Sequence, residues 1–79
     1  MQGITILKLQ INVMRDISEF VTITNRIKCD VTVKKDRYVL DGKSILGMWS
    51  INFAEPFDVI IEGECSNELI ENLKKWEVK

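Results

Sequence analysis

Residues 42–48 read Gly-Lys-Ser-Ile-Leu-Gly-Met, and the rest of the chain is best interpreted outward from this stretch. Asp41 and Gly42 form a turn signal, and Ser44 stands where a helix would begin. The large apolar residues that follow are Ile45, Leu46, Met48, Trp49 and Phe53. Gly47 inside this helix costs about 1 kcal/mol relative to alanine. The stretch therefore predicts a short helix with Ser44 as its N-cap.

Upstream of this turn, apolar and polar residues alternate in two short runs. One run lies near residues 30–35 and the other near 37–41, with Lys35 and Asp36 at the turn between them. Alternation with a period of two is typical of strands with one buried face, and a short polar connection joins antiparallel neighbours. We predict a β-hairpin here.

Residues 16–27 carry two conflicting signals. Asp16 is a good N-cap, and Glu19 completes an acidic version of the capping box. An apolar face at helical spacing consists of Ile17, Phe20, Val21, Thr24 and Ile27. The β-branched run at residues 21–24 favours a strand instead. Capping and periodicity predict a helix, whereas local propensity does not.

The two ends of the chain supply further elements. Residues 3–10 form a β-rich apolar run, which we interpret as a strand containing Ile4, Ile6 and either Leu7 or Leu9. After Pro56, residues 57–63 form another strand. Ser66 then caps a final helix whose buried stripe is Leu69, Ile70, Leu73 and Trp76. The order β-α-β-β-α-β-α predicts an α+β domain over residues 1–79, with a four-stranded antiparallel sheet covered on one face by three helices.

Composition excludes several function classes. The 79 residues include 11 basic and 12 acidic side chains, so the net charge of −1 lacks the basic field that nucleic-acid binding requires. No segment approaches the ~20 apolar residues that span a bilayer. Residues 1–4 (Met-Gln-Gly-Ile) do not resemble a signal peptide. We expect a cytoplasmic protein that contacts neither nucleic acid nor the membrane interior.

The residues that usually carry catalysis are missing. The chain has no histidine, and its two cysteines, Cys29 and Cys65, lack CxxC spacing. We expect them to be reduced thiols rather than zinc ligands, with a disulfide as the less favoured alternative. No catalytic triad, phosphate-binding glycine loop or metal cluster is recognisable. The sequence therefore predicts no enzyme activity, no metal and no cofactor.

Residues 42–48 resemble the Lys-Ser-Ile-Met/Leu-Gly segment of HPr, the histidine-containing phosphocarrier protein of the bacterial sugar phosphotransferase system. The predicted element order is also that of HPr. The resemblance implies an HPr-like open-faced β-sandwich. Extended without a gap, it places residues 30–33 on the second strand, residues 16–27 on the first helix and residues 57–63 on the last strand, so it favours the helix over the strand for residues 16–27.

The same register places residues 12–16 on the family's active-site loop. Val13 falls where the family has its phosphorylated histidine, Arg15 falls on the phosphate-binding arginine, and Asp16 replaces a proline. Phosphotransfer through an imidazole is impossible in a chain without histidine. The resemblance therefore implies the fold of a phosphocarrier without its activity, as in the catabolite-repression relatives of HPr that keep only the serine.

The segment around the second helix is the main candidate site. Ser44 matches the serine that kinases phosphorylate in some HPr proteins, although a plain N-cap role needs no kinase and is the favoured interpretation. The family docks partner proteins on this helix. Ile45, Leu46 and Trp49 are expected to share one face, with Met48 pointing elsewhere, so that Leu46 and Trp49 reach solvent. The alternative is that Trp49 enlarges a small core.

Two function classes remain after this survey. The leading hypothesis is an HPr-like regulatory or protein-interaction domain that uses the face around Ser44 and Trp49. The alternative is a small anion- or ligand-binding module in which Arg15 and the helix N-termini hold the ligand. A remote enzyme subunit is the least supported option, because the sequence offers no acid, base or nucleophile in a recognisable arrangement.

Overall fold

The structure is a computed structural model that describes residues 3–65 and 67–78. Within these ranges the chain forms four strands, three helices and a short 3-10 turn. In chain order they are β1 (Ile4–Leu9), α1 (Met14–Arg26), β2 (Asp30–Lys35), β3 (Tyr38–Asp41), α2 (Ile45–Trp49), β4 (Phe57–Glu62), α3 (Asn67–Leu73) and the 3-10 turn (Lys74–Trp76). This is the predicted α+β order. Ser66, the predicted cap of the last helix, lies outside the described residues.

The four strands form one antiparallel sheet in the order β1-β4-β2-β3. Alternate residues on each strand face the helices, and on β1 these are Leu7 and Leu9, whereas Ile4 and Ile6 are exposed on the open face. The core lies between the sheet and the three helices of the described ranges, where Phe20 of α1 meets Phe57 of β4 edge to face. The predicted open-faced arrangement is confirmed.

Helix α1 begins earlier than the capping signal indicated. It starts at Met14 with Val13 as its N-cap, so Asp16 lies inside the first turn and donates its backbone N–H to the Val13 carbonyl. The predicted capping box is therefore wrong. Its Glu19 pairs with Lys75 instead, because the C-terminal segment packs against this turn. Burial of one face, made of Ile17, Phe20, Ile23 and Thr24, outweighs the β-propensity of the run at residues 21–24.

Helix α2 is shorter than the sequence suggested. It ends at Trp49, so Phe53 lies in the following loop rather than on the helix. Ser44 is its N-cap, as predicted. The hairpin also turns where expected: Asp36 has φ of 56°, a left-handed conformation that aspartate tolerates better than most residues. In the described part of the chain, no helix has the length and apolar character to cross a membrane.

Candidate functional site

Backbone contacts place the start of α1 beside the loop that follows α2. The Ile11 N–H donates to the Phe53 carbonyl at 2.9 Å, and the Gln10 side-chain amide donates to the Ala54 carbonyl at 2.7 Å. Ile11 is also fully buried, which anchors this loop in the core. The position where the resemblance puts the family's active site, Val13, thus follows a segment that is held against the loop after α2.

The side chains at the start of α1 are apolar and exposed. Val13 is 46% exposed and Met14 is 65% exposed, and Val13 forms no side-chain cap. Arg15 is exposed and makes no ion pair with a residue in the described ranges. The Asp16 carboxylate accepts a long hydrogen bond of 3.4 Å from the Trp76 indole N–H. This corner offers hydrocarbon surface and the Arg15 guanidinium, and Val13 stands at the position that the resemblance assigns to the family's histidine.

The C-terminal segment closes one side of this corner. The Lys75 ammonium lies 4.7 Å from the centre of the Trp76 ring and pairs with Glu19 of α1. Trp76 packs edge-on against Phe20 at 6.1 Å and is half-buried rather than fully in the core. These contacts hold residues 75–78 against α1 and leave a shallow groove beside Val13. Sequence analysis missed this arrangement because it joins the two ends of the chain.

The other end of α1 holds the start of α2. The buried Thr24 hydroxyl donates to the Gly42 carbonyl at 2.8 Å, and the Asn25 amide donates to the Lys43 carbonyl at 3.0 Å. In the other direction, the Lys43 ammonium donates to the Ile27 carbonyl at 2.8 Å, so this carbonyl at the end of α1 has a hydrogen-bond partner. The two helices are therefore fastened to each other before α2 begins.

Ser44 is engaged in the structure of α2. Its hydroxyl accepts a hydrogen bond from the Gly47 N–H at 3.1 Å, the standard N-cap interaction three residues into the helix. The Ser44 backbone is extended, as an N-cap requires. The Lys43 N–H is also satisfied, by the Asp41 carboxylate at 2.9 Å. Ser44 is half-buried, and its unmodified hydroxyl has a structural role as the cap of α2.

Helix α2 has one face toward the core and one toward solvent, and residues three apart lie on the same face. Met48 is fully buried, and Ile45, one turn earlier, packs half-buried against the same core. Leu46 is 74% exposed and Trp49 is 51% exposed. The expectation that Ile45 shares the exposed face of these two is wrong, because Ile45 packs against the core together with Met48, three residues later. The exposure of Leu46 and Trp49 is as expected from sequence.

Four apolar side chains are exposed on the two helix segments: Val13 and Met14 at the start of α1, and Leu46 and Trp49 on α2. We call them the helical apolar surface. Within residues 3–65 and 67–78, no group of three or more acidic or cysteine side chains is arranged to hold a metal ion. The arrangement suits contact with another apolar surface rather than chemistry on a bound substrate.

Comparisons with known proteins agree with this fold. The family model for PTS-HPr, described as the PTS HPr component phosphorylation site, matches residues 10–76. A crystal structure of phosphocarrier protein HPr from Bacillus anthracis str. Ames superposes with a TM-score of 0.69 at 24% identity, covering 96% of this chain and 99% of that one.

HPr-C-His from Thermoanaerobacter tengcongensis gives a TM-score of 0.61 at 22% identity, covering 95% of this chain and 88% of that one. No curated protein matches the sequence. Identities this low establish a shared fold, whereas the family model spans most of the chain. The protein therefore belongs to the HPr family of the phosphotransferase system.

Proposed function

We propose that this protein is an HPr-family member that does not carry phosphoryl groups and instead acts by binding a partner protein through the face around Ser44 and Trp49. The observation that carries the proposal is the division of α2, in which Met48 supplies the core contact while Leu46 and Trp49 stay 74% and 51% exposed. Val13 and Met14, which are exposed at the start of α1, would extend the proposed binding surface. Ile45 supports it from below by packing on the core.

The proposed lack of phosphocarrier activity is argued from the side-chain chemistry of this chain. Phosphocarriers of this family use an imidazole, and the chain contains no histidine. By resemblance, the corresponding position holds Val13, a hydrocarbon side chain that cannot accept a phosphoryl group. We also place the protein in the cytoplasm, where thiols such as Cys29 and Cys65 are reduced unless an oxidant is present.

An exposed tryptophan on a rigid support is a favourable binding anchor. Tryptophan is enriched among the residues that dominate interface energies. Helix α2 is fixed at its start by the Ser44 cap and by the contacts from Thr24 and Asn25. A surface that is already ordered loses less conformational entropy on binding. The partner we expect is a protein with an apolar pocket that takes up Trp49 and Leu46.

Phosphorylation of Ser44 would give this surface a control point. A phosphate adds about −1.5 to −2 charges, and Ser44 lies two residues before Leu46. We propose that the added charge alters partner binding. Because the Ser44 hydroxyl caps α2, phosphorylation would act directly on the group that accepts from the Gly47 N–H.

The anion-binding alternative rests on Arg15. Its guanidinium makes no ion pair with the residues that the structure describes, which favours an anion. Asp16 brings a negative charge to the same first turn, where it opposes a second anion, and the exposed Val13 and Met14 favour an apolar partner. Inorganic phosphate serves as the probe: calorimetric binding that is lost in Arg15→Gln would support the alternative.

The test compares two half-exposed aromatic residues. Trp49 and Tyr38 are 51% and 53% exposed, on α2 and on β3. Proteins captured from the source organism are purified and titrated against Trp49→Ala, Leu46→Ala and Tyr38→Ala. We expect the two α2 variants to bind roughly tenfold or more weakly, a loss of ~1.4 kcal/mol, and Tyr38→Ala to bind as the wild type does.

Equal binding by all three variants would place the interface elsewhere. The activity half of the proposal is tested separately, by incubation with labelled phosphoenolpyruvate and the first enzyme of the sugar system. The protein should stay unlabelled while the Bacillus anthracis HPr is labelled. An acid-labile phosphate on this chain would contradict the proposal.

A further inference from the structure

The two cysteines, far apart in sequence, lie at the same end of the sheet. Cys29 comes directly before β2, and Gly63 comes directly after β4. The last residue pair between these strands is Asp30 with Glu62, so Cys29 and Gly63 occupy the next opposed positions. Cys65 follows Gly63 by two residues, before α3 begins. The fold therefore brings the Cys29 backbone to the turn that carries Cys65.

Gly63 creates the space in which the sulfur atoms approach. It has φ of +119°, a conformation that side chains rarely adopt, and a Cβ at this position would lie 3.2 Å from the Cys29 sulfur. The Cys65 sulfur lies 3.8 Å from the Gly63 carbonyl oxygen. Both sulfur atoms thus contact the same glycine, one on its Cα side and one on its carbonyl.

The two thiols differ in accessibility. Cys29 is buried, whereas Cys65 is half-buried and reaches solvent. Burial is the largest cause that raises the pKa of the Cys29 thiol, to about 11, and a hydrogen bond with the Cys65 thiol is the second. Lys43 acts in the opposite direction but does not reverse the shift. The pair consists of one thiol that can meet a reagent and one that is protonated and shielded.

We propose that Cys29 and Cys65 form a modification site, which a small-molecule disulfide such as oxidised glutathione converts into an intramolecular disulfide. The half-buried, more accessible Cys65 reacts first, and the buried Cys29 completes the reaction. The proposal is independent of the partner-binding function.

The reaction balances in two exchange steps. The Cys65 thiolate, whose proton passes to solvent, attacks one sulfur of oxidised glutathione; that disulfide breaks and releases one glutathione thiolate. The Cys29 thiol then gives its proton to a glutathione thiolate, and its sulfur attacks the Cys65 sulfur. The mixed disulfide breaks and releases the second glutathione. The two cysteines lose two electrons in total, and one oxidised glutathione becomes two reduced molecules.

The product would join the loop before β2 to the turn before α3. In the reduced protein, the sulfur atoms of both segments contact Gly63. A covalent bond there ties α3 to the two central strands. We therefore expect the oxidised protein to unfold at a higher temperature than the reduced one.

The experiment equilibrates the folded full-length chain in glutathione buffers of graded ratio, followed by acid quenching, alkylation and intact mass measurement. The wild type should lose two hydrogen atoms, resist alkylation, stay monomeric and revert with reduced glutathione. Cys29→Ala should keep a stable glutathione adduct on Cys65. Cys65→Ser should stay unmodified while folded, because Cys29 is buried.

A parallel equilibration in urea separates proximity from chance encounter. If the fold aligns the two thiols, the folded chain should favour the disulfide roughly tenfold or more over the unfolded chain. Accumulation of the Cys65 adduct in the wild type, or disulfides between chains, would overturn the proposal. Should Cys29→Ala fail to fold, peptide mapping of the oxidised wild type decides alone, because only a Cys29–Cys65 linked peptide supports it.

Discussion

The beginnings of α1 and α2 are built in opposite ways. At α2, Ser44 caps the Gly47 N–H, the Asp41 carboxylate holds the Lys43 N–H, and the buried Thr24 hydroxyl fixes the preceding carbonyl. At α1, Val13 occupies the N-cap without a side-chain bond, and it stands exposed together with Met14. One helix start is fastened by polar contacts, and the other is left apolar and open.

The difference follows from how each helix is stabilised. Helix α1 has 13 residues and buries a full face, including Ile17, Phe20 and Ile23, so packing supports it without a cap. Helix α2 has five residues, far fewer than the ~12–15 at which an isolated helix becomes marginally stable. Helix α2 therefore needs the polar hydrogen bonds at its start in order to form. At α1 the start is free to serve another role, which is consistent with a contact surface at Val13 and Met14.

Gly42→Ala should produce the largest loss on the fastened side. A Cβ at Gly42 would lie 2.6 Å from a Val31 side-chain carbon and 3.1 Å from the Val31 carbonyl oxygen, so the backbone leading into α2 has to shift. Overpacking of this kind costs about 2–3 kcal/mol. Urea unfolding should show that loss.

The matched control is Gly47→Ala, within α2 itself. Its Cβ would meet the Ser44 side chain at 3.5 Å, an ordinary contact, and alanine favours a helix over glycine by ~1 kcal/mol. We expect Gly47→Ala to be neutral or stabilising. Equal losses in both variants would mean that the approach of Gly42 to Val31 is not what holds α2.

Ser44→Ala should show a smaller effect on the same helix. Loss of the bond to the Gly47 N–H removes the cap and should lower the free energy of unfolding by about 1 kcal/mol. Ser18→Ala, on the exposed face of α1, is the control and should change stability by less than ~0.5 kcal/mol. No difference between the two would show that water replaces the cap without cost.

The fold was largely predictable because its decisive signals are local. Ser44 before an apolar run and the alternation around Lys35 and Asp36 each specify one element through neighbouring residues. The sequence places the helix start at Asp16 because the capping pattern there resembles that of a true helix start, and this prediction is wrong. Ile11, three residues before the helix, is buried, and its N–H is bonded to the Phe53 carbonyl of a distant loop, which fixes the chain ahead of the helix. Such a contact has no signature in the residues nearby.

The candidate site was predictable only where crowding on one short helix decides exposure. Four large side chains on α2 cannot all be buried, which correctly indicated that Leu46 and Trp49 reach solvent. The same argument misplaced Ile45. Trp76 was assigned to the core by periodicity, but its contacts with Asp16 and Lys75 keep it half-buried at the site. Those contacts depend on the chain ends meeting, which sequence spacing does not reveal.

Val13→Ser tests the uncapped start of α1. It should have the smallest effect on the free energy of unfolding, and it should raise stability rather than lower it. Val13 already has the extended backbone of an N-cap, with φ of −120° and ψ of 124°. A serine hydroxyl there can accept from a first-turn N–H, and should raise the free energy of unfolding by about 0.5–1 kcal/mol over Val13→Ala. Both variants remove the same exposed apolar side chain, so both should weaken binding of the captured partner to a similar degree. Val13→Ser should then combine higher stability with weaker binding, whereas Val13→Ala should weaken binding without the gain in stability. If serine and alanine give the same urea midpoint, the first turn of α1 already has adequate partners in water, and its open start carries no cost that a contact surface need explain.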